Sequence, residues 1–438
     1  MSRANKISIF WFRRDIRLND NHGLFQALKE NNSVLPVFIF DEEILEKLTD
    51  KEDKRVCFIH DNLQKIKKEL EKIGSSLLIL HGKTDSIFEH LCEKYDIEAV
   101  YTNKDYEPQA IARDKRIQLL LAAKGIEFKA FKDQVIFEEK EVVKADGLPY
   151  TIYTPYSKIW KQKLSEKGFE NYPSENLLKD CMVTTPFELL TLEKIGFKPS
   201  LYTQDSNLPN EKIIRNYHET RNLPSINGTS NLSVHLRFGT ISIRSLVSTA
   251  LALNEQWLNE LIWREFFMTI LFHYPNVVTE SFKKKYDKIT WRNNEKEFEA
   301  WCKGNTGYPI VDAGMRELNE TGLMHNRVRM IVASFLTKHL LIDWRWGEAY
   351  FAQKLMDYEL SSNNGNWQWS AGSGCDSAPY FRIFNPYEQV KKFDPKLIYI
   401  KKWVKNLNSF DYPAPIVEHK FARERVLKVY KTALEDSE

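Results

Sequence analysis

KISIFWFRRDIRLNDNHGLFQALKENNSVLPVFIF, residues 6–40, opens on an apolar run, crosses charged residues into an amphipathic stretch and returns to a second apolar run. Short runs rich in β-branched and aromatic residues, separated by helical periodicity, predict strand, helix and strand. The alternation continues through SSLLILHG, TDSIFEHLCEKY, IEAVYTN, PQAIARDKRIQLLLAAKG and EFKAFKDQVIF. Apolar strands joined by helices form a parallel sheet covered on both faces, with right-handed crossovers. Residues 1–137 are therefore expected to be a doubly wound α/β domain, a fold that binds ligands at the carboxyl ends of its strands. RRDIRLND, after the first strand, contains no glycine, so the pyrophosphate turn of a nicotinamide-dependent dehydrogenase is missing.

Outward from this domain the pattern changes. Between 138 and 206 the periodicity fades, with Pro149, Pro155, Pro173, Pro186 and Pro199 interrupting, and the segment reads as a connector. From 207 to 438 the signal is helical, with amphipathic runs at 242–253, 255–272, 311–321, 325–341 and 347–359, and predicts an all-α second domain.

Composition narrows the class. Hydrophobic residues at 42% and charged residues at 28% fit a folded globular chain and exclude disorder and collagen-like repeats. No run approaches the roughly 18 apolar residues of a membrane helix, and the amino terminus reads as no secretory signal. The five cysteines form no CxxC pair or Cys/His cluster, so no metal site is expected and reduced thiols in the cytoplasm are the simplest reading. Lys and Arg exceed Asp and Glu by only 63 to 60, so nucleic-acid binding would need a local basic face. Nine of the 11 tryptophans lie after residue 250, which suggests a large helical core or an aromatic site there.

Four motifs carry chemistry. YHETRNLPSINGTSNLSVHLRFG, residues 217–239, sets Thr229, Ser230 and Ser233 in a turn entering a helix, a plain cap or a diphosphate site. In WLNELIWREFF, Trp257, Glu260 and Trp263 follow at intervals of three and share an arc of about 120° on one helix. That places a carboxylate between two indoles, to meet either an arginine or a planar base with N–H donors. In TGLMHNRVRMIVASF, Asn326, Arg329 and Met330 line one face, as a helix cap with solvated arginines or as the wall of a polar-ligand site. DYELSSNNGNWQWSAGSGCDSAPYFRIFNP, residues 357–386, sets Asp357, Glu359 and Asn363 before an Asn-Gly turn, then Trp367, Trp369 and a Gly/Ser-rich loop. It reads as a ligand-binding loop.

These segments, with WFRRDIRLNDNHGL and GYPIVDAGMRELNETGLMHNRVRM, resemble the DNA photolyases and their cryptochrome relatives over nearly the whole chain, and look like the class I branch that repairs cyclobutane pyrimidine dimers. The resemblance implies an antenna α/β domain at 1–137, an interdomain connector at 138–206 and a helical FAD domain at 207–438. It implies that FAD is held by Tyr217, Thr229, Ser230, Leu232, Ser233, Trp257, Asn326, Arg329, Asp357, Glu359 and Asn363, with Asn363 facing flavin N5. Excited reduced FAD would pass one electron to a dimer flipped out of DNA, a step the cofactor itself performs. Glu260 would hydrogen-bond the dimer bases. Trp263 and Trp369 would wall the substrate pocket, with Arg221, Asn326 and Met330 nearby.

The same resemblance assigns Trp367, Trp344 and Trp291 to electron hopping, and Arg327 and Arg382 to the DNA backbone. KKFDPKLIYIKKWVK, residues 391–405, either extends that basic face or is a solvated surface. Two departures stand out. Glu359 stands where many relatives carry Asp. Gln109 and Ala110 stand where folate-binding relatives carry an Asn-Glu pair, which disfavours folate and leaves a deazaflavin, another flavin or no second chromophore. The expected partner is UV-damaged DNA, met by a monomer, with no membrane. The alternative is a cryptochrome-type blue-light photoreceptor without repair activity.

Overall fold

The computed structural model describes residues 6–202 and 206–435; residues 203–205 of the expected connector lie outside the described ones. Five strands form one parallel sheet: β1 (Ile7–Phe12), β2 (Val34–Asp41), β3 (Leu78–Gly82), β4 (Ile97–Asn103) and β5 (Glu127–Phe131), in the order β3-β2-β1-β4-β5. Helices His22–Glu30, Lys54–Glu71, Thr84–Lys94 and Pro108–Ala122 join them. Every residue of β1 and β2 is buried, as central strands covered on both faces must be. The expected α/β domain is present.

The chain divides into two compact units whose boundaries differ from the expected ones. One takes the residues up to Glu138, Lys161–Pro209 and Leu232–Thr249; the other takes Glu139–Trp160, Asn210–Asn231 and the chain from Ala250 on. Leu232–Thr249 was expected in the helical domain, yet its charges are satisfied in the first unit. Arg244 reaches Asp20 at 2.9 Å and Asp133 at 2.8 Å, and Asp133 also receives Arg17 at 2.7 Å. Gly239 adopts a φ of +63° where a Cβ would meet the Arg14 carbonyl oxygen at 2.1 Å, so only glycine fits. Single-sequence periodicity carries no sign of such long-range ion pairs.

The connector is not devoid of regular structure, because a 15-residue helix, Tyr153–Lys167, runs through it. Pro155 lies in its first turn, where a missing N–H costs nothing. In the second unit the helices Glu255–His273, Pro309–Thr321, Asn326–Ser334, Trp344–Lys354 and Leu360–Ala371 carry the motifs. Their core gathers Trp301, Tyr308, Phe335, Trp344, Phe351 and Trp367. The run expected at 347–359 sits one turn earlier, begun by Asp343, whose side chain accepts from the Arg345 N–H.

The expected Asn-Gly turn does not form: Asn364 and Gly365 lie inside the helix Leu360–Ala371. A Cβ at position 365 would come within 2.2 Å of Phe267 Cδ1. Gly365 serves close helix packing, a role its sequence neighbours disguise as a turn.

Candidate active site

The helix Glu255–His273 is opened by Asn254, whose side chain accepts from the Trp257 N–H. It presents Glu260, Trp263, Arg264 and Phe267 to a cavity of about 340 Å³, within the range of roughly 300–1,000 Å³ usual for ligand pockets. The helix Asn326–Ser334 contributes Asn326, Arg329 and Met330, and its start is fixed by His325, whose Nδ1 accepts from the Arg327 N–H at 3.1 Å. Burial and the nearby arginines 327, 329 and 221 hold the His325 imidazole down to about 4, so it stays neutral and keeps that acceptor. Asp357, Glu359, Asn363, Trp367 and Trp369 complete the wall, with Arg221 at its edge.

Two ion pairs stiffen this lining. Arg329 Nη2 meets the Asp357 carboxylate at 2.9 Å, while Arg329 Nε donates to the Met324 carbonyl at 2.8 Å. Arg264 Nε lies 3.4 Å from Glu359 Oε2, and Ser362 Oγ donates to the same oxygen at 3.2 Å. The longer side chain at 359 therefore keeps its carboxylate on the cavity, beside an arginine.

Glu260 meets an arginine, one of the two partners its motif allows. Its Oε1 accepts from Arg221 Nη1 at 2.6 Å and from Gln256 Nε2 at 3.1 Å, and Oε2 has no partner among the described residues. Burial raises its carboxyl above the ordinary range, against the opposing pull of Arg221 and Gln256. The result is a carboxylate held at one oxygen and unpaired at the other among the described residues, on a cavity that Trp263 and Trp369 also line.

Asn363 is held more tightly. Its Nδ2 donates to the Glu348 carboxylate at 2.8 Å and to the Glu348 backbone carbonyl at 3.1 Å. With both N–H groups spent, the amide oxygen is the atom left for a ligand. An acceptor fixed this way fits a ring N–H such as that of a flavin, and the cation–carboxylate pairs beside it fit polar ring edges. Glu348, whose carboxyl burial raises, had no signal in the sequence, since its helical spacing points to no partner. Phe267, Tyr358 and Asn366 also line the cavity unforeseen.

Other expected site residues lie elsewhere. Trp257 is buried and absent from the cavity lining, because a separation of about 120° from Trp263 turns it off that wall. Tyr217 is half-buried beneath the Arg221 guanidinium, 5.6 Å from its ring centre. Thr229 and Ser230 are half-buried in a turn, Thr229 donating to the Asn231 side chain at 3.2 Å, and neither lines the cavity. Leu232, buried, and Ser233, exposed, belong to the other unit. Ser233 begins a six-residue helix that no side chain caps.

Trp367 and Trp344 are both buried, Trp367 with its ring 5.0 Å from Phe351 and 6.1 Å from Trp301. Trp291 is half-buried, edge-on to Tyr430 at 6.1 Å. Arg327 donates to Asn222 at 2.6 Å and lies 4.5 Å over the Phe393 ring. Arg382, Lys391, Lys392, Lys396, Lys401, Lys402 and Lys405 are exposed. In the α/β unit Gln109 accepts from Lys47 at 3.1 Å. Among the described residues no helix is long and apolar enough to cross a membrane.

Residues 8–175 match the DNA photolyase family and residues 257–411 match the FAD binding domain of DNA photolyase. A deoxyribodipyrimidine photo-lyase from a Synechococcus species is 37% identical, covering 96% of each chain. Among solved structures, a bacterial class III photolyase from Agrobacterium tumefaciens superposes with a TM-score of 0.85 at 32% identity, covering 99% of each chain. An archaeal photolyase from Sulfolobus tokodaii, solved with two FAD molecules, gives 0.83 at 35% identity over 97% of this chain and all of that one. With both family domains present and relatives matching along nearly its whole length, the chain belongs to the DNA photolyase family and is an FAD-dependent DNA-repair enzyme.

Proposed function

We propose that this enzyme reverses cyclobutane pyrimidine dimers in DNA in light, as the class I branch does, with the dimer turned out of the duplex into the cavity lined by Trp263 and Trp369. The observation that carries this reading is Glu260, with one oxygen pinned by Arg221 and Gln256 and the other open beside those indoles. Bound FAD supplies light absorption and the single electron that splits the dimer. Glu260 orients the pyrimidine edges through hydrogen bonds and stabilises charge as it develops. Asn363, fixed by Glu348, would present its amide oxygen to the flavin N5–H. Arg329, Asp357 and Glu359 would meet the polar edges of the cofactor, with Arg264 holding Glu359 in place.

Trp367, Trp344 and Trp291 are proposed to relay electrons from the protein surface. Arg327, Arg382 and the lysines at 391–405 would bind phosphates, so affinity should fall steeply with salt. Tyr217, Trp257, Thr229 and Ser230 are proposed to hold parts of FAD outside the cavity wall. A flavin-type second chromophore in the α/β unit, the cytoplasm and a monomeric state complete the reading. The direct test is an oligonucleotide carrying one thymine dimer, incubated with the FAD-loaded protein in light and in darkness. Repair in light alone supports the reading; binding of partners with no repair in light would favour the photoreceptor alternative.

A further inference from the structure

The cavity's two half-buried indoles stand on different helices, Trp263 on Glu255–His273 and Trp369 on Leu360–Ala371. Behind Trp263 lies Tyr153, its ring centroid 3.7 Å away and its plane 4° from parallel. Its phenol donates to the Asn259 carbonyl at 2.9 Å, one turn before Trp263 on the same helix. Stacking together with a hydrogen bond on one helix fixes both the height and the tilt of the indole. Tyr153 is also the first residue of its own helix, and its backbone N–H, an orphan donor at a helix start, donates to Asp376 Oδ2 at 3.1 Å. Asp376 lies seven residues beyond Trp369, in the loop that follows that helix. The same loop is pinned by Ser377, which donates to the Gly372 carbonyl at 2.7 Å and receives Lys283 Nζ at 2.7 Å.

We propose that Tyr153 is a positioning residue for the substrate. By backing Trp263 and taking hold of the loop after Trp369, it sets the spacing of the two indole walls and so the slot that a fused pair of pyrimidine rings enters. This rests on reading the cavity as the dimer site. Tyr153 itself is not among the residues lining the cavity. Its effect is therefore transmitted through Trp263 and the loop.

The test uses the FAD-loaded protein and the variants Tyr153→Leu, Tyr153→Phe and Asp376→Ala. Dark affinity is measured for an oligonucleotide with one thymine dimer and for its undamaged twin, followed by KM and light-saturated kcat. Tyr153→Leu should weaken dimer binding roughly tenfold and raise KM to match, with kcat, undamaged-DNA affinity and FAD per chain unchanged. Asp376→Ala should follow in the same direction, and Tyr153→Phe, which keeps the stacked ring, should restore dimer binding. The proposal is overturned if Tyr153→Leu discriminates dimer from undamaged DNA as well as the wild type does. It is also overturned if both affinities and FAD content fall together, or if Tyr153→Phe is as defective as Tyr153→Leu. A wild-type protein that binds both oligonucleotides alike would instead remove the dimer-site reading, and this proposal with it.

Discussion

Asn363 gives both of its amide N–H groups to one residue, Glu348, reaching the side-chain oxygen at 2.8 Å and the backbone carbonyl at 3.1 Å. This pairing decides which end of the amide faces the cavity. It also makes position 363 sensitive to charge, because Glu348 sits where burial already disfavours its ionised form.

Asn363→Asp should therefore set two carboxyl groups against each other and leave one of them protonated. The variant is expected to retain less FAD per chain than the wild type, read by absorbance after gel filtration. Adding Glu348→Gln should restore retention, because Gln can donate to the new carboxylate. Equal retention in the wild type and the single variant would show that the pair does not orient the amide.

Gly365→Ala should destabilise the fold by about 1–3 kcal/mol, as overpacking a core contact does. The added methyl would meet the buried Phe267 ring at 2.2 Å. Combining it with Phe267→Leu should recover part of the loss in a denaturant titration. A neutral single substitution would mean that the helix Leu360–Ala371 can move away from Phe267.

How much of this was legible beforehand depends on the range of the interaction. The sheet was readable because β1 and β2 are covered on both faces, and that burial is written as local apolar runs. Asn326, Arg329 and Met330 were readable because one helical turn brings them together. Gly365 reads as a turn because a glycine beside asparagine signals one, and only the distant Phe267 reveals its packing role. Glu348, Tyr153 and Asp376 were invisible as site residues, since their partners lie 15, 110 and 223 positions away. The Arg244 pairs with Asp20 and Asp133 escaped for the same reason.

Acid should loosen the packing of the carboxyl-terminal helix His419–Glu435. His339 is buried, with Nε2 2.8 Å from His419 Nδ1, and burial, aided by His419 and Arg425, lowers it to about 3. The unfolded chain binds that proton near pH 6.5 and the folded chain only near pH 3. Stability is thus unaffected above 6.5 and falls as pH drops from there toward 3. Denaturant titrations across this window should be steeper for the wild type than for His339→Gln, by up to about 1.4 kcal/mol per pH unit. Parallel curves would assign the acid sensitivity to other groups.

On the proposed reading, Glu260 offers its free oxygen to a dimer lying between Trp263 and Trp369. The decisive measurement counts cyclobutane dimers in UV-irradiated DNA after light and dark incubation with FAD-loaded wild-type protein and with Glu260→Ala. On that reading removal occurs in light only, and the yield per absorbed photon falls roughly tenfold in the variant at equal FAD content, the loss of one hydrogen bond to a charged group. Dimers that persist in light with the wild type, or that vanish equally fast with Glu260→Ala, would contradict it.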